Sequence, residues 1–273
     1  MSKTVAIIQG RMSSSRLPGK VLLDLGGKPM LQRVLERVRL AKGIDGIIVA
    51  TSADTSDDPI QHWCDANNIA CHRGSLHDVL DRFHGAAMAS AADVIVRVTA
   101  DCPFIDPILI DAAINQMDEQ VNGRKPDFCA NRLPPPFHRT YPIGLDAEVC
   151  TFAALHAAWQ DSKELFHREH VMPYLYEGTE LQTLPNGNQW GISKAGFCVT
   201  VLNSPVDHGE VRWTVDTAQD LQFAQEMYVY LPQDNKYTWQ EMLAITQQHP
   251  EIAAINADVQ HKTMTDIDER AKK

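Results

Sequence analysis

Val5-Ala6-Ile7-Ile8-Gln9-Gly10-Arg11-Met12-Ser13-Ser14-Ser15-Arg16-Leu17-Pro18-Gly19-Lys20 decides how the rest of the chain is read. Its first four residues are a short continuous apolar run, as expected of a parallel strand buried on both faces. The remainder gathers three cations, three serines and two glycines, with no acid before Asp24, in a chain of formal net charge −10. A buried strand that delivers positive charge and pliable backbone at its carboxyl end is the start of an α/β ligand site.

The residues that follow repeat the strand–helix alternation. Pro29 opens a helix with Leu31, Val34, Leu35 and Val38 on one face, the spacing of an amphipathic helix. Ile47-Ile48-Val49-Ala50 reads as a strand, and Asp58-Pro59 as the cap and first residue of a helix turning Ile60, Trp63 and Cys64 inward. A short strand near 69–72 and a helix over 77–88 come next. The strand Val94-Ile95-Val96-Arg97-Val98 follows, and Asp106-Pro107 opens a fourth helix. Four such units predict an α/β fold with a mostly parallel sheet covered by helices on both faces.

That rhythm breaks at 123–126. From 127 to 210 the chain is richer in proline, histidine and aromatics, as in RLPPPFHRTYPIGLDAEVC. It resumes with a strand expected over 211–215, then helices announced by Thr217 with Asp220 and Thr238 with Glu241. The expected organisation is a core over 1–126, an insertion over 127–210 and a core completion over 211–273.

At 273 residues with 44% hydrophobic and 22% charged content, the chain has the composition of a globular protein. Its 35 acidic residues outnumber 25 basic ones with no general basic stripe, which argues against nucleic acid as a partner. No apolar run approaches the length of a membrane span, and the amino terminus reads as a strand rather than a signal peptide. Six scattered cysteines without a C-x-x-C pair predict reduced, mostly buried thiols in a cytoplasmic protein.

In open parallel sheets, ligands bind beyond the carboxyl ends of the strands. Those ends carry Gln9–Lys20, Thr51–Asp54, Arg73–Ser75 and Thr99–Pro103. A glycine- and serine-rich loop turns backbone N–H groups toward an anion, and Arg11, Arg16 and Lys20 add charge-assisted bonds. Three cations exceed what one phosphate needs, so a triphosphate is the expected ligand. The stretch is neither a Walker A loop nor a G-x-G-x-x-G dinucleotide loop. Polyphosphates are handled with a hard cation held by one or two carboxylates, which nominates Asp101 and Asp216 as its ligands, since each follows an apolar run. The alternative is that both merely cap the next turn or helix.

The blocks GRMSSSRLPGK, RGSLHDVLDRF, RVTADCPFIDP, YPIGLDAEV, REHVMPYL and VRWTVDTAQDL resemble, in order, those of the cytidylyltransferase family, which includes the CMP-sialate and CMP-KDO synthetases. They are most like the branch named after spore coat polysaccharide biosynthesis protein F. The resemblance spans about residues 5 to 230. It implies a Rossmann-like three-layer α/β/α nucleotidyltransferase core. It also implies transfer of CMP from CTP to a sugar or sugar acid (nonulosonate-like), with Mg²⁺ and release of pyrophosphate, in polysaccharide or glycan precursor synthesis. A homodimer through the 127–210 insertion is part of the same implication. By motif match Arg11, Ser15, Arg16 and Lys20 bind the triphosphate, Arg73, Asp78 and Thr99 lie near the nucleoside, and Asp101 and Asp216 hold magnesium. Thr99-Ala100 replaces the glutamine-glycine pair of the CMP-KDO synthetases.

Within the insertion, His138, Arg139, Tyr141, Asp146, Glu148, Arg168 and His170 form a polar set suited to the acceptor, an arginine pairing with an acceptor carboxylate. The alternative for several of them, notably Arg168-Glu169-His170, is ion pairing within the chain or across a dimer. Two other functions compete. A GT-A-type glycosyltransferase using a nucleotide-sugar shares the architecture, but Thr99-Ala100-Asp101 supplies no D-x-D motif. A catalytically silent nucleotide-binding scaffold subunit has no need of Lys20, Asp101 and Asp216 together.

Overall fold

The computed structural model describes residues 2–260; residues 261–273, the end of the expected core completion, lie outside the described residues. The first half forms β1 (Thr4–Gln9), α1 (Met30–Val38), β2 (Gly46–Ser52), α2 (Asp58–Ala66), β3 (Ala70–Gly74), α3 (Val79–Ala89), β4 (Val94–Thr99) and α4 (Pro107–Gln116). The second half adds β5 (Phe128–Ala130), β6 (Glu148–Thr151), α5 (Phe152–Asp161), α6 (Leu165–His170), α7 (Pro173–Tyr176), β7 (Gln182–Thr183), β8 (Gln189–Ile192), β9 (Cys198–Val201), α8 (Ala218–Tyr230), α9 (Trp239–Gln248) and α10 (Pro250–Ala254).

All nine strands join one sheet in the order β3-β2-β1-β4-β6-β5-β9-β8-β7. The pairings from β3 to β4 are parallel, while β6 runs antiparallel to both β4 and β5. The segment expected as an insertion is therefore built onto the core sheet, with β6 bonded directly to β4 and β9 parallel to β5. Successive β1 side chains point to opposite faces, as the two-residue strand period requires. Val5 and Ile7 pack with α3 and α5, while Ala6 and Ile8 pack with α1, α2 and α4. Because Phe128, Cys150, Ala154, Leu175 and Val199 share the first of these clusters, 127–210 shares its apolar core with the first half of the chain.

The helix starts follow from local chemistry. Asp106 accepts from the Ile108 N–H at 2.7 Å, and both Thr217 with Asp220 and Thr238 with Glu241 close reciprocal capping boxes. At α2 the cap position falls on Asp57, one residue earlier than expected, and makes no side-chain cap bond to the helix. Its carboxylate is engaged elsewhere, accepting from the N–H groups of Met12 and Ser52 at 2.7 and 3.1 Å.

Residues 211–215 are a correction to the sequence reading. They form no ladder strand; one isolated parallel bridge joins Arg212 to Ile143. Their N–H groups are satisfied outside the sheet, Trp213 by the Ile143 carbonyl and Val215 by the Asp101 carbonyl. Apolar Trp213 and Val215 are buried against Phe104, Phe223 and Met227 in a third cluster beneath α8 and α9. The apolar run thus reflects burial under helices rather than membership of the sheet. Among the described residues no helix is long and apolar enough to cross a membrane, and all six cysteines are free thiols.

Candidate active site

Strand order reverses direction between β1 and β4: α1 leads from β1 to β2 on one side, while β4 lies on the other. At such a switch point the connections diverge and leave a crevice. A cavity of about 380 Å³ opens there, floored by Gln9, Gly10, Thr99 and Ala100 at the two strand ends. Gly10 packs against Ala100 so closely that an added Cβ would sit 3.2 Å from the alanine Cβ. The loop after β1 folds over this floor. The Gly19 N–H returns to the Met12 carbonyl at 2.8 Å, and Gly19 takes φ +72°, a conformation that suits glycine.

That turn starts a short 3₁₀ segment at Lys20, whose side chain is 9% exposed and reaches across the cavity wall. Its ammonium donates to Asp101 Oδ2 at 2.7 Å, Asp216 Oδ1 at 2.8 Å and the Val215 carbonyl at 2.9 Å. Arg16 reaches the other oxygen of Asp216 at 2.9 Å. Behind it, Arg212 bridges Asp216 at 3.0 Å and Asp220 at 2.8 Å. Burial opposes the charge on Lys20, but Asp101 and Asp216 outweigh it and hold the ammonium above its ordinary 10.5. Burial likewise opposes the Asp216 carboxylate, yet Lys20, Arg16 and Arg212 push its pKa down to about 2. Asp101 and Asp216 come from segments 115 positions apart by their numbering, and one cation spans both. The link between the segments is the pair of bonds from Val215 N–H and Thr214 Oγ1 to the Asp101 carbonyl.

Of the residues expected to bind nucleotide, Arg11, Ser15, Arg16, Lys20, Thr99 and Asp101 line this cavity. Arg73 and Asp78 are not among its lining residues. Arg73 is tied to the Ser52 and Asp54 carbonyls and to Asp58, at 2.9, 2.7 and 2.7 Å. Asp78 caps α3 and holds Arg168 at 2.9 Å.

Of the acceptor set, Asp146, Glu148 and His170 line the cavity, and four others stand elsewhere. Arg139 pairs with Asp146 at 2.7 Å, and Arg168 with Asp78. Tyr141 packs edge-on against Trp239, and His138, 74% exposed, pairs with Asp207 at 2.8 Å. The structure adds Arg97, Arg132, Glu169 and Tyr176 to the cavity wall and Arg212 behind it. Arg97 pairs with Glu148 and donates to Gln9 at 3.2 Å. Its signal in the sequence is a lone charge inside VIVRVT, where every neighbour suits a buried strand. Arg132, 3.8 Å from Asp146, carries no comparable local signal.

At the switch point of the parallel part of the sheet, the cavity thus sets cations of one loop against two carboxylates, in an α/β fold of the nucleotidyltransferase class. Residues 5–248 match the model of the cytidylyltransferase family, and the chain belongs to that family. An uncharacterized protein of Methanocaldococcus jannaschii is 34% identical over 269 residues, covering 98% of this chain and 100% of its own. Spore coat polysaccharide biosynthesis protein SpsF of Bacillus subtilis is 29% identical over 266 residues, covering 93% of this chain and 98% of its own. The solved structure of a cytidylyltransferase from Leptospira borgpetersenii superposes with a TM-score of 0.80 at 26% identity, covering 96% of this chain and 100% of that one.

Proposed function

We propose that this protein is a magnesium-dependent transferase that moves CMP from CTP to a sugar acid and releases pyrophosphate, in the making of a surface polysaccharide or glycan precursor. The observation that carries the reading is the Lys20 ammonium held between Asp101 and Asp216 beside Arg16. The spore-coat polysaccharide relative supports the polysaccharide setting.

The donor set fits magnesium: two carboxylate oxygens lie within 2.8 Å of one cation, and magnesium is commonly bound by one or two carboxylates plus substrate phosphates. Asp101 and Asp216 would hold the ion. When bound it supplies neutralisation of the triphosphate's negative charge. Arg11 and Arg16 grip phosphate oxygens and fix the chain of phosphates along the loop. Lys20 donates to the leaving pyrophosphate as charge develops on it, stabilisation that acts at the transition state. Thr99 and Ala100 form the floor between the phosphates and the acceptor. At the far end Arg97 and Arg132 give the acceptor's carboxylate cationic partners, while Glu148 and Asp146 accept from its hydroxyls. A cytoplasmic setting agrees with the six free thiols. A homodimer through 127–210 belongs to the same reading and is measured by light scattering.

The test is pyrophosphate release from each of the four ribonucleoside triphosphates against a panel of sugar acids and neutral sugars, with magnesium and with EDTA. Release that requires CTP, a sugar acid and magnesium is the expected result. Release from none of the combinations overturns the reading.

A further inference from the structure

The phosphate end of the cavity has its chemistry in Lys20, Arg16 and two carboxylates, but an attacking hydroxyl must also lose a proton. Most carboxylates on the wall are engaged: Asp101 and Asp216 with Lys20, Glu148 with Arg97, Asp146 with Arg139. His170 differs. It lines the cavity, half-buried, and its ring makes no hydrogen bond to another described residue.

Its backbone is held in an unusual way. The next residue, Val171, has φ 72° and ψ −60° and is fully buried, and the Met172 N–H donates to the His170 carbonyl at 2.9 Å. This is a γ-turn of the rare positive-φ form, populated here by a β-branched residue. Such conformations persist only where the surroundings over-determine them, and they gather at functional sites. Here the turn ends α6 at His170 and redirects the chain into α7, leaving Glu169 and His170 on the cavity wall.

We propose that His170 is the general base of the transfer, taking the proton of the acceptor hydroxyl as that oxygen attacks the α-phosphorus. The assignment rests on the cytidylyltransfer reading above. The new oxygen–phosphorus bond forms, and the bond from the α-phosphorus to the oxygen bridging the β-phosphate breaks. Pyrophosphate leaves with the electron pair, and the proton stays on the imidazole. The charged groups that act on the ring from the same cavity wall are Glu169 from α6, Arg97 from β4, Glu148 from β6 and Arg132 from the loop after β5. Tyr176 of α7 shares the wall, its phenol kept neutral by burial. Burial pushes the imidazole below its ordinary 6.5 and the arginines act the same way, while the glutamates oppose them. The ring is therefore neutral at pH 7, and the two glutamates stabilise the imidazolium it becomes.

The experiment compares the full chain with His170→Gln, His170→Asn and Glu169→Gln. Pyrophosphate release is followed across about pH 5 to about pH 9, with CTP affinity and thermal midpoint measured alongside. The acceptor panel includes 3-deoxy-manno-octulosonate and N-acetylneuraminate. Both His170 variants are expected to fold and to bind CTP within about twofold of the parent. They should lose about 10²–10⁴-fold in turnover together with the acidic limb of the kcat/KM profile. Glu169→Gln should keep that limb but move it to lower pH, since the lost carboxylate favoured the imidazolium. His170 variants that retain both turnover and limb overturn the assignment, as does a limb that disappears in Glu169→Gln instead. A parent protein that neither binds CTP nor releases pyrophosphate with any acceptor refutes the transfer reading, and the base assignment falls with it.

Discussion

Two groups of cations in the first forty residues carry the same charge and serve opposite purposes. Arg16 and Lys20 pair with carboxylates at the edge of an open cavity, at 2.7 to 2.9 Å. Arg33 and Arg37, on α1, are fully buried and pair mainly with backbone carbonyls. Arg33 donates to Leu25 at 2.8 Å and also to Gly26. Arg37 donates to Ile105 at 2.9 Å and to Asn235 and Tyr237 at 2.7 Å each, with Tyr237 stacked 3.9 Å beneath it. A carbonyl cannot be recruited by a ligand without unfolding its segment, whereas a carboxylate facing a cavity can exchange one cation for another. Charge therefore marks a binding site only where its partner can be exchanged.

Breaking the exchangeable group should abolish chemistry while leaving the fold. Asp101→Asn is expected to remove magnesium-dependent turnover altogether; a variant with ordinary metal dependence excludes Asp101 from the ligand pair. Lys20→Ala should cost about 10²–10³-fold in pyrophosphate release, the loss typical of one preorganised charge donor, with the far-ultraviolet circular dichroism spectrum unchanged. Breaking the locked group should do the reverse. Arg37→Met strands three buried carbonyls and is expected to lower unfolding free energy by about 3 kcal/mol in urea titration, with CTP affinity retained once folded.

Acid sharpens the contrast further. Asp216 lies at about 2 in the folded protein against an ordinary 3.8, so its ion pairs contribute stability above roughly pH 4 that disappears as pH falls toward 2. At about 1.4 kcal/mol per pH unit the contribution is about 2 kcal/mol. It should be absent from the acid limb of an Asp216→Asn variant followed by thermal unfolding. The smallest effect belongs to the exposed His138–Asp207 pair: His138→Ala should change stability by less than about 0.5 kcal/mol and leave pyrophosphate release within about twofold.

The sequence reveals the parts of this molecule that local chemistry specifies. The four strand–helix units, the capping boxes at Thr217 and Thr238, and the cationic loop after β1 all follow from patterns a few residues long. So does the placement of Asp101, because a residue just past a buried strand must stand at the ligand edge of a parallel sheet. The acceptor end was less legible. Its wall draws Arg97 from β4, Arg132 from beyond β5 and Tyr176 from α7, and these meet only because β6 threads between β4 and β5. No spacing encodes that strand order, and β5 and β7, with three and two residues, are too short to show a period. Arg168 illustrates the cost: the sequence left both an acceptor contact and an ion pair within the chain open, because its partner Asp78, the cap of α3, lies 90 positions away.

The buried Arg37 also bears on the order in which the chain is made. Its carbonyl partners at Asn235 and Tyr237 follow it by 198 and 200 positions. A ribosome adding about 5–20 residues per second delivers them some 10–40 s after α1 has emerged. Throughout that interval the guanidinium has the Ile105 carbonyl within its reach but lacks its other two carbonyl partners, so the seat of α1 is incomplete on the nascent chain. The amino-terminal helix thus gains its full set of contacts only once the carboxyl-terminal segment has been made, and a chain truncated before residue 235 leaves Arg37 short of two carbonyl partners.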